Sequence, residues 1–348
     1  MKVLITGGNG FIGRRATSKL VADGIAVRWA SRSVPDALPA GVDHVQMDVS
    51  KPEQIGAALE GCSHVIHLAA REDMPLLPKG DPFGDLMFKT NVLGTDALLT
   101  ACGERGIKKI VVCTAIWSFG WDKDGGANDG SRPRNVSVFG STYAWSRYQC
   151  EFVCLEHAAK GVPVVIACPS IVVGAGDQKV AGPAVRWAQK GMVRFVPSGG
   201  ANCIDVDDVA QGLVNALERG EPGRRYLFVN ENIKWQSFFS LIADELDVSR
   251  PWVLPDFFMR AARWFVAFRG WITGRSRAFG VGPELLTSDF YFSASNAVDE
   301  IGLPQTPISE SVAQTVRWVR TGELPAPRAQ LQEPSTAVTD EATPDSAG

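Results

Sequence analysis

Eight residues near the start, Thr6-Gly7-Gly8-Asn9-Gly10-Phe11-Ile12-Gly13, constrain the fold of this chain more than any other feature. They join an apolar run at 2–6 (KVLIT) to a stretch at 11–23 whose apolar residues recur at helical spacing. Gly7, Gly10 and Gly13 satisfy one strand–turn–helix glycine spacing, and Gly8, Gly10 and Gly13 a second. Glycines there let the backbone approach a pyrophosphate, and the helix that follows offers free N–H groups and the positive end of its dipole. The position, after a strand and before a helix, separates a dinucleotide site from a simple turn.

The pattern then repeats. Short apolar runs at 26–30, 64–68, 109–113 and 164–168 read as buried strands. The segments 84–105 and 142–160 carry helical spacing. Strand–helix alternation predicts parallel βαβ units. The fold class is α/β, a Rossmann-type doubly wound parallel sheet with a smaller, mainly helical C-terminal lobe. In the later part, 206–219, 235–246, 255–271, 295–301 and 309–320 read as helices and 225–229 as a strand. We expect residues 1–170 and 203–230 to form the dinucleotide domain, and 171–202 and 231–322 the substrate lobe. The long Gly-, Asp- and Asn-rich stretch 118–141 reads as a functional or mobile loop. Residues 323–348, rich in Pro, Ser, Thr and acids, read as a disordered tail.

Composition removes other classes. The net charge of −3 gives no basic field for nucleic acid, and no apolar run is long enough to span a membrane. Seven cysteines without CxxC pairs argue against a disulfide framework or a zinc site and fit a reducing cytoplasm. The four histidines form no metal pattern, so no metal is expected.

The end of the second strand bears on the cofactor. A site for NAD commonly places an acid about 20 residues beyond the glycines. This chain has Ala30-Ser31-Arg32-Ser33 there, with no acid before Asp36. Ser31 and Arg32, helped by Arg14, suit a 2′-phosphate. We therefore expect NADP(H).

With these residues in view, the chain resembles the extended short-chain dehydrogenase/reductases. The likeness lies nearest the branch of 3β-hydroxysteroid dehydrogenases, dihydroflavonol reductases and NAD-dependent epimerase/dehydratases, and covers about 1–322. Beside the glycine loop it rests on Met47-Asp48-Val49, His67-Leu68-Ala69-Ala70, Asn91 in NVLGT, Pro169-Ser170-Ile171-Val172-Val173-Gly174, and Asp205-Val206-Asp207-Asp208-Val209-Ala210. The resemblance implies a cofactor shell of Gly7, Gly10, Phe11, Ile12, Gly13, Arg14, Ser31, Arg32, Asp48, Val49, Leu68, Ala69, Ala70, Asn91, Arg147, Pro169 and Ile171. The acids at 205, 207 and 208 read as a helix cap.

The catalytic positions depart from the family pattern of Ser/Thr, Tyr and Lys. Tyr143, in Tyr143-Ala-Trp-Ser-Arg147, matches the family's acid, with Tyr148 an alternative one turn on. Arg147 stands where the pattern has Lys. Counting back from Gly120 puts Ala115 at the hydroxyl position, with Thr114 and Ser118 beside it as substitutes. Reduction asks only for a proton to the nascent alkoxide, whereas epimerisation and dehydration need a base.

The segment 255–271 (PDFFMRAARWFVAFRGW) leaves three readings open: a core helix, a wall of an apolar pocket, or a helix in a membrane interface. Trp117, Trp121 and Trp145 flank the catalytic positions and suit a flat, bulky ligand. The function expected is an NADPH-dependent ketoreductase acting on an aromatic or polycyclic ketone such as an aromatic polyketide or steroid-like molecule, in specialised metabolism. A substrate hydroxyl beside the ketone is a second candidate proton donor. The alternatives are a nucleotide-sugar epimerase/dehydratase, or an inactive NADP-binding regulatory or scaffold protein. The expected partner is the small hydrophobic ketone. No nucleic acid and no membrane are expected, and a homodimer stays open.

Overall fold

Alternation of side chains along buried strands organises the molecule into layers. The computed structural model describes residues 1–72, 82–119, 126–130, 142–255, 257–258, 287–293 and 295–326. Strands β1 (Lys2–Thr6), β2 (Ala26–Ser31), β3 (Val42–Gln46), β4 (His64–His67), β5 (Lys109–Cys113) and β6 (Val164–Pro169) are parallel, and β10 (Arg225–Phe228) completes their sheet. The order is β3-β2-β1-β4-β5-β6-β10. All six residues of β6 are buried, as expected for a parallel strand covered on both faces.

Leu4, Val65, Ile110, Val112, Val164 and Ile166 point to one face. They pack there with α2 (Pro52–Leu59), α4 (Gly94–Glu104) and α5 (Thr142–Ala159). Val3, Ile5, Ile66, Val111 and Val165 point to the other, against α1 (Phe11–Ala22) and α7 (Val206–Arg219). The chain runs from β1 outward to β3, then returns to β4 and runs the other way. The crevice beyond the ends of β1 and β4 is therefore the topological switch point, where this architecture binds ligands.

The predicted helix 84–105 is α3 (Pro82–Phe88) and α4 joined by a π-helical turn, Lys89–Leu93. Such single-turn widenings add a residue and cluster at functional positions. This one holds Asn91.

The second lobe is built on helices α6 (Ala181–Gln189), α8 (Trp235–Leu246) and α10 (Ile308–Thr321), with α9 (Ser295–Ile301) beneath β10. It also contains a small sheet that the sequence reading does not predict. Here β9 (Gly200–Asp205) pairs with β7 (Ile171–Val173), β11 (Glu231–Lys234) and β13 (Asp289–Phe290). A further ribbon pairs β8 (Phe195–Val196) with β12 (Trp252–Val253). Apart from β9 these strands are two to four residues long, and the six residues of β9 are all buried, so its sequence carries no period-2 pattern.

Asp205 caps α7, its Oδ1 accepting from Asp207 N at 2.8 Å, and its Oδ2 accepts from Ser311 Oγ at 2.5 Å. Asp208 accepts from Thr306 N at 2.6 Å and Oγ1 at 2.8 Å. The acids of this motif thus tie α7 to the segment that enters α10. At the start of the expected tail, Pro325 O accepts from buried Arg15 Nη1 at 2.8 Å. Residues 327–348 lie outside the described residues, as do 120–125 and 131–141 of the long loop and all of 255–271 except 255, 257 and 258.

Candidate functional site

The glycine loop leaves the end of β1 and is shaped by close backbone approaches. Gly7 has φ +73°, and a Cβ there would lie 3.0 Å from Ala69 N. A Cβ on Gly13 would lie 2.5 Å from Gly7 O. Side chains at these positions would push the loop away from both the helix and the Leu68–Ala70 turn. Gly10 is the N-cap of α1, with no capping side chain and no acid in the first turn. The first-turn N–H groups of Phe11, Ile12 and Gly13 thus keep the anion-binding character of a helix start.

A chain of hydrogen bonds fixes this loop to the π turn. Thr95 Oγ1 donates to Asn91 O at 2.8 Å, so its one proton is used. His67 Nε2, 3.1 Å away, must therefore donate to Thr95. His67 Nδ1 then accepts from Thr6 Oγ1 at 2.6 Å, and the same oxygen accepts from Ala69 N at 3.1 Å. Burial, with Arg147 nearby, lowers the His67 pKa to about 3. The folded protein keeps His67 neutral, while the unfolded chain takes up a proton below about 6.5. Stability from this group is complete above that pH and falls as the pH drops toward 3. By pH 5 the loss is expected to be about 2 kcal/mol. Urea unfolding at pH 5 and 7 checks this: His67→Gln should show the smaller difference between the two pH values, and equal differences would refute the assignment.

At the end of β2, Ser31 Oγ contacts Ser33 O at 2.8 Å and His44 Nε2 at 2.9 Å. Arg32 presents an exposed side chain, while its carbonyl accepts from Gln46 Nε2 at 2.9 Å. Arg14 bends back onto the loop, donating from Nη2 to Asn9 Oδ1 at 2.5 Å and from Nε to Asn9 O at 3.1 Å. Asp48 Oδ1 accepts from Ser50 N at 3.0 Å and Oγ at 2.7 Å. Burial opposes the Asp48 charge, but Ser50, Arg32 and Lys51 hold its carboxyl below the usual range. Val49 packs beneath Gly94.

Asn91 works as a strut. Its Nδ2 donates to Arg71 O at 2.9 Å and Ser146 Oγ at 3.0 Å, and its Oδ1 accepts from Arg71 N at 2.7 Å. Ser146 Oγ in turn donates to Tyr143 O at 2.8 Å. The end of β4 and the first turn of α5 are thereby held together.

That turn presents Tyr143 and Arg147. The Arg147 guanidinium lies 5.2 Å from the centre of the Tyr143 ring and is buried. Burial raises the Tyr143 pKa to about 12, with Arg147 opposing the rise. The phenol is therefore fully protonated at neutral pH. Burial disfavours the charge on Arg147, but Tyr143 and Glu72 outweigh it and raise its pKa. Arg147 Nη2 lies 3.7 Å from Glu72 Oε1, and Lys179 pairs with the other oxygen of Glu72. Burial opposes ionisation of Glu72 as well, yet the two cations hold its carboxyl below the usual range.

The flanking hydroxyls turn away from this pair. Thr114 Oγ1 lies 3.3 Å from Ala167 O and 3.1 Å from Cys168 Sγ. Ser118 Oγ donates to Glu151 Oε2 at 2.8 Å and contacts Ala115 O at 3.0 Å. Ala115 is buried between them. Trp117 stacks on Phe290 at 5.0 Å, and Trp145 on Tyr148 at 5.4 Å; Trp121 lies outside the described residues.

Among the described residues, two buried polar atoms in the crevice, Arg147 Nε and Ser170 Oγ, have no hydrogen-bond partner. Ser170 sits between Pro169, the last residue of β6, and Ile171, the first of β7. With the uncapped α1, they fit a polar dinucleotide. Glu72, Lys179 and Ser170 escape the sequence reading of the site. Of these, only Ser170 falls within a recognisable motif. A cavity of about 330 Å³, lined by Phe119, Asp129, Arg224, Arg225, Leu227 and Asn296, is separate; neither the glycine loop nor Tyr143 lines it.

The profile of the NAD dependent epimerase/dehydratase family matches residues 3–228, from β1 through β10. This chain belongs to that family. It is an extended short-chain dehydrogenase/reductase, and the family and its relatives are oxidoreductases that include reductases, dehydratases and epimerases. A dihydroflavonol 4-reductase-like protein of Synechocystis sp. is 29% identical over 332 residues, 90% of this chain and 93% of its own. The 4-hydroxy-2-methyl-3-oxo-4-farnesyl-3,4-dihydroquinoline-1-oxide ketoreductase of Stigmatella aurantiaca is 26% identical over 251 residues, 70% of this chain and 73% of its own. The crystal structure of gox2253 superposes with a TM-score of 0.80 at 26% identity, covering 92% of this family member and 98% of gox2253.

Proposed function

We propose that this chain is an NADPH-dependent ketoreductase acting on a bulky aromatic or polycyclic ketone. The observation that carries the reading is the pairing of Tyr143 with buried Arg147, in a chain whose hydroxyl position is Ala115. A bound reduced nicotinamide supplies the hydride. Tyr143 gives its proton to the oxygen as negative charge develops, and Arg147 stabilises that charge. Glu72 Oε1, 3.7 Å from Arg147 Nη2, pairs with the guanidinium. A phenol protonated at neutral pH is a donor and a poor base, which favours reduction over epimerisation or dehydration. The ketoreductase relative from Stigmatella aurantiaca, named for a quinoline oxide, supports a ring-fused ketone as substrate.

Oxidation of NADPH, followed against a panel of quinone, polyketide and steroid ketones, tests the reading. The expected result is turnover on ring-fused ketones. Tight NADPH binding with no turnover on any of them would overturn it. A hydroxyl beside the ketone could deliver the proton in place of Tyr143. In that case the substrate's methyl ether loses turnover while Tyr143→Phe keeps it; with Tyr143 as donor the pattern is reversed.

Arg32→Ala should weaken NADPH binding by about 1.5–3 kcal/mol, the worth of a charged hydrogen bond. NADH lacks the 2′-phosphate and should bind almost unchanged. Titrating both by fluorescence checks this, and equal losses would reject Arg32 as the phosphate ligand.

A further inference from the structure

Large apolar side chains gather on the outside of the second lobe. Trp252 is 75% exposed, Met192 66%, Phe195 62%, Phe257 57%, Trp187 53% and Phe258 49%. Trp252 pairs with Phe195 in the parallel β8–β12 ribbon, and such neighbours share a face. Met192 N donates to Trp187 O at 3.0 Å, folding the end of α6 toward β8. Leu254 N donates to Val196 O at 2.8 Å, so the chain leaving β12 stays against β8. Beyond it, the rings of Phe257 and Phe258 lie 4.0 Å apart. Monomeric proteins generally scatter such residues singly, and large apolar side chains gathered in exposed pairs on one lobe mark an interaction surface.

Charge identifies the partner. Residues 178–204 contain Lys179, Arg186, Lys190 and Arg194 and no acid. Lys190 and Arg194 flank Met192 and Phe195, are exposed, and have no carboxylate partner among the described residues. A second copy seated on this face would bring Lys190 and Arg194 against cations of their own kind. An anionic bilayer accepts both features, because aromatic rings settle at headgroup depth and cations pair with lipid phosphates. Among the described residues no helix is long and apolar enough to cross a membrane. That bears on spanning, whereas this face would lie on the surface.

We propose that the face formed by Trp187, Met192, Phe195, Trp252, Phe257 and Phe258 docks on an anionic lipid bilayer. The inference revises the expectation of no membrane partner and depends on no assignment of the reaction.

Sedimentation of the full chain with vesicles tests it. One set is phosphatidylcholine alone, the other includes about one-third phosphatidylglycerol. The protein should pellet with the anionic vesicles, much less with the neutral ones, and be released by salt. Lys190→Ala and Arg194→Ala should each lower partitioning about fivefold. Phe195→Ser with Trp252→Ser should lower it more than about tenfold. All four side chains are exposed, so melting temperatures should hold and identify any variant that has lost its fold. Protein that stays in the supernatant with anionic vesicles, or variants that bind as well as the parent, would overturn the proposal. So would a dimer in light scattering that Trp252→Ser dissociates and vesicles do not displace, since a second copy would then own the face.

Discussion

Gly13→Ala is expected to raise the dissociation constant for the dinucleotide by about 10²–10⁴-fold, the loss of two hydrogen bonds to a charged group. The added Cβ would lie 2.5 Å from Gly7 O and 2.7 Å from Gly8 O. Both are backbone atoms, so no side chain can swing aside. Relief requires the loop to move off the start of α1, which draws its N–H groups out of line with the pyrophosphate. The fold should survive, because overpacking of this kind costs about 1–3 kcal/mol. Isothermal titration with NADPH and a thermal melt separate the two effects. Unchanged affinity would remove the loop from the binding site.

Arg147→Met is expected to lower turnover by about 10²–10³-fold while NADPH still binds, the range seen when a donor to a developing oxyanion is removed. Methionine fills much of the buried volume without the charge. Glu72 keeps Lys179 as a partner and its side chain is 40% exposed, so its loss of Arg147 should not unfold the site. Tyr143→Phe adds the decisive comparison. If Arg147 and Tyr143 serve one oxygen, the double variant should be little worse than the poorer single variant. Multiplicative losses would show that the two side chains act on different atoms.

The central sheet was legible because parallel strands leave unbroken apolar runs, and 2–6, 109–113 and 164–168 are such runs. β3 was not, since Val42–Gln46 alternates with Asp43 and His44 and is only half-buried. The small sheet around β9 was hidden because its partner strands are two to four residues long and β9, buried at every position, has no alternation to read. The glycine loop could be read directly, because its spacing is local. Glu72 and Lys179 could not. They are far apart in sequence, and only the folding of the β4 end toward the segment before α6 makes them partners. Thr114 and Ser118 show the converse. Sequence places both near the missing hydroxyl, but their orientation depends on Cys168 and Glu151, which other elements supply.

The π turn at Lys89–Leu93 also sets the phase of everything before it. An α-helix turns about 100° per residue, so one added residue rotates α3 by that angle relative to α4. Deleting Thr90 would let 82–104 wind as one regular helix, with the buried face of α4 unchanged. Asn91, whose carbonyl accepts from Thr95 on the α4 side of the deletion, would stay with α4, while the face that α3 turns toward α5 would rotate away. The seating of α3 on α5 therefore depends on an insertion, and losing that single codon would undo it without altering Asn91 or Tyr143.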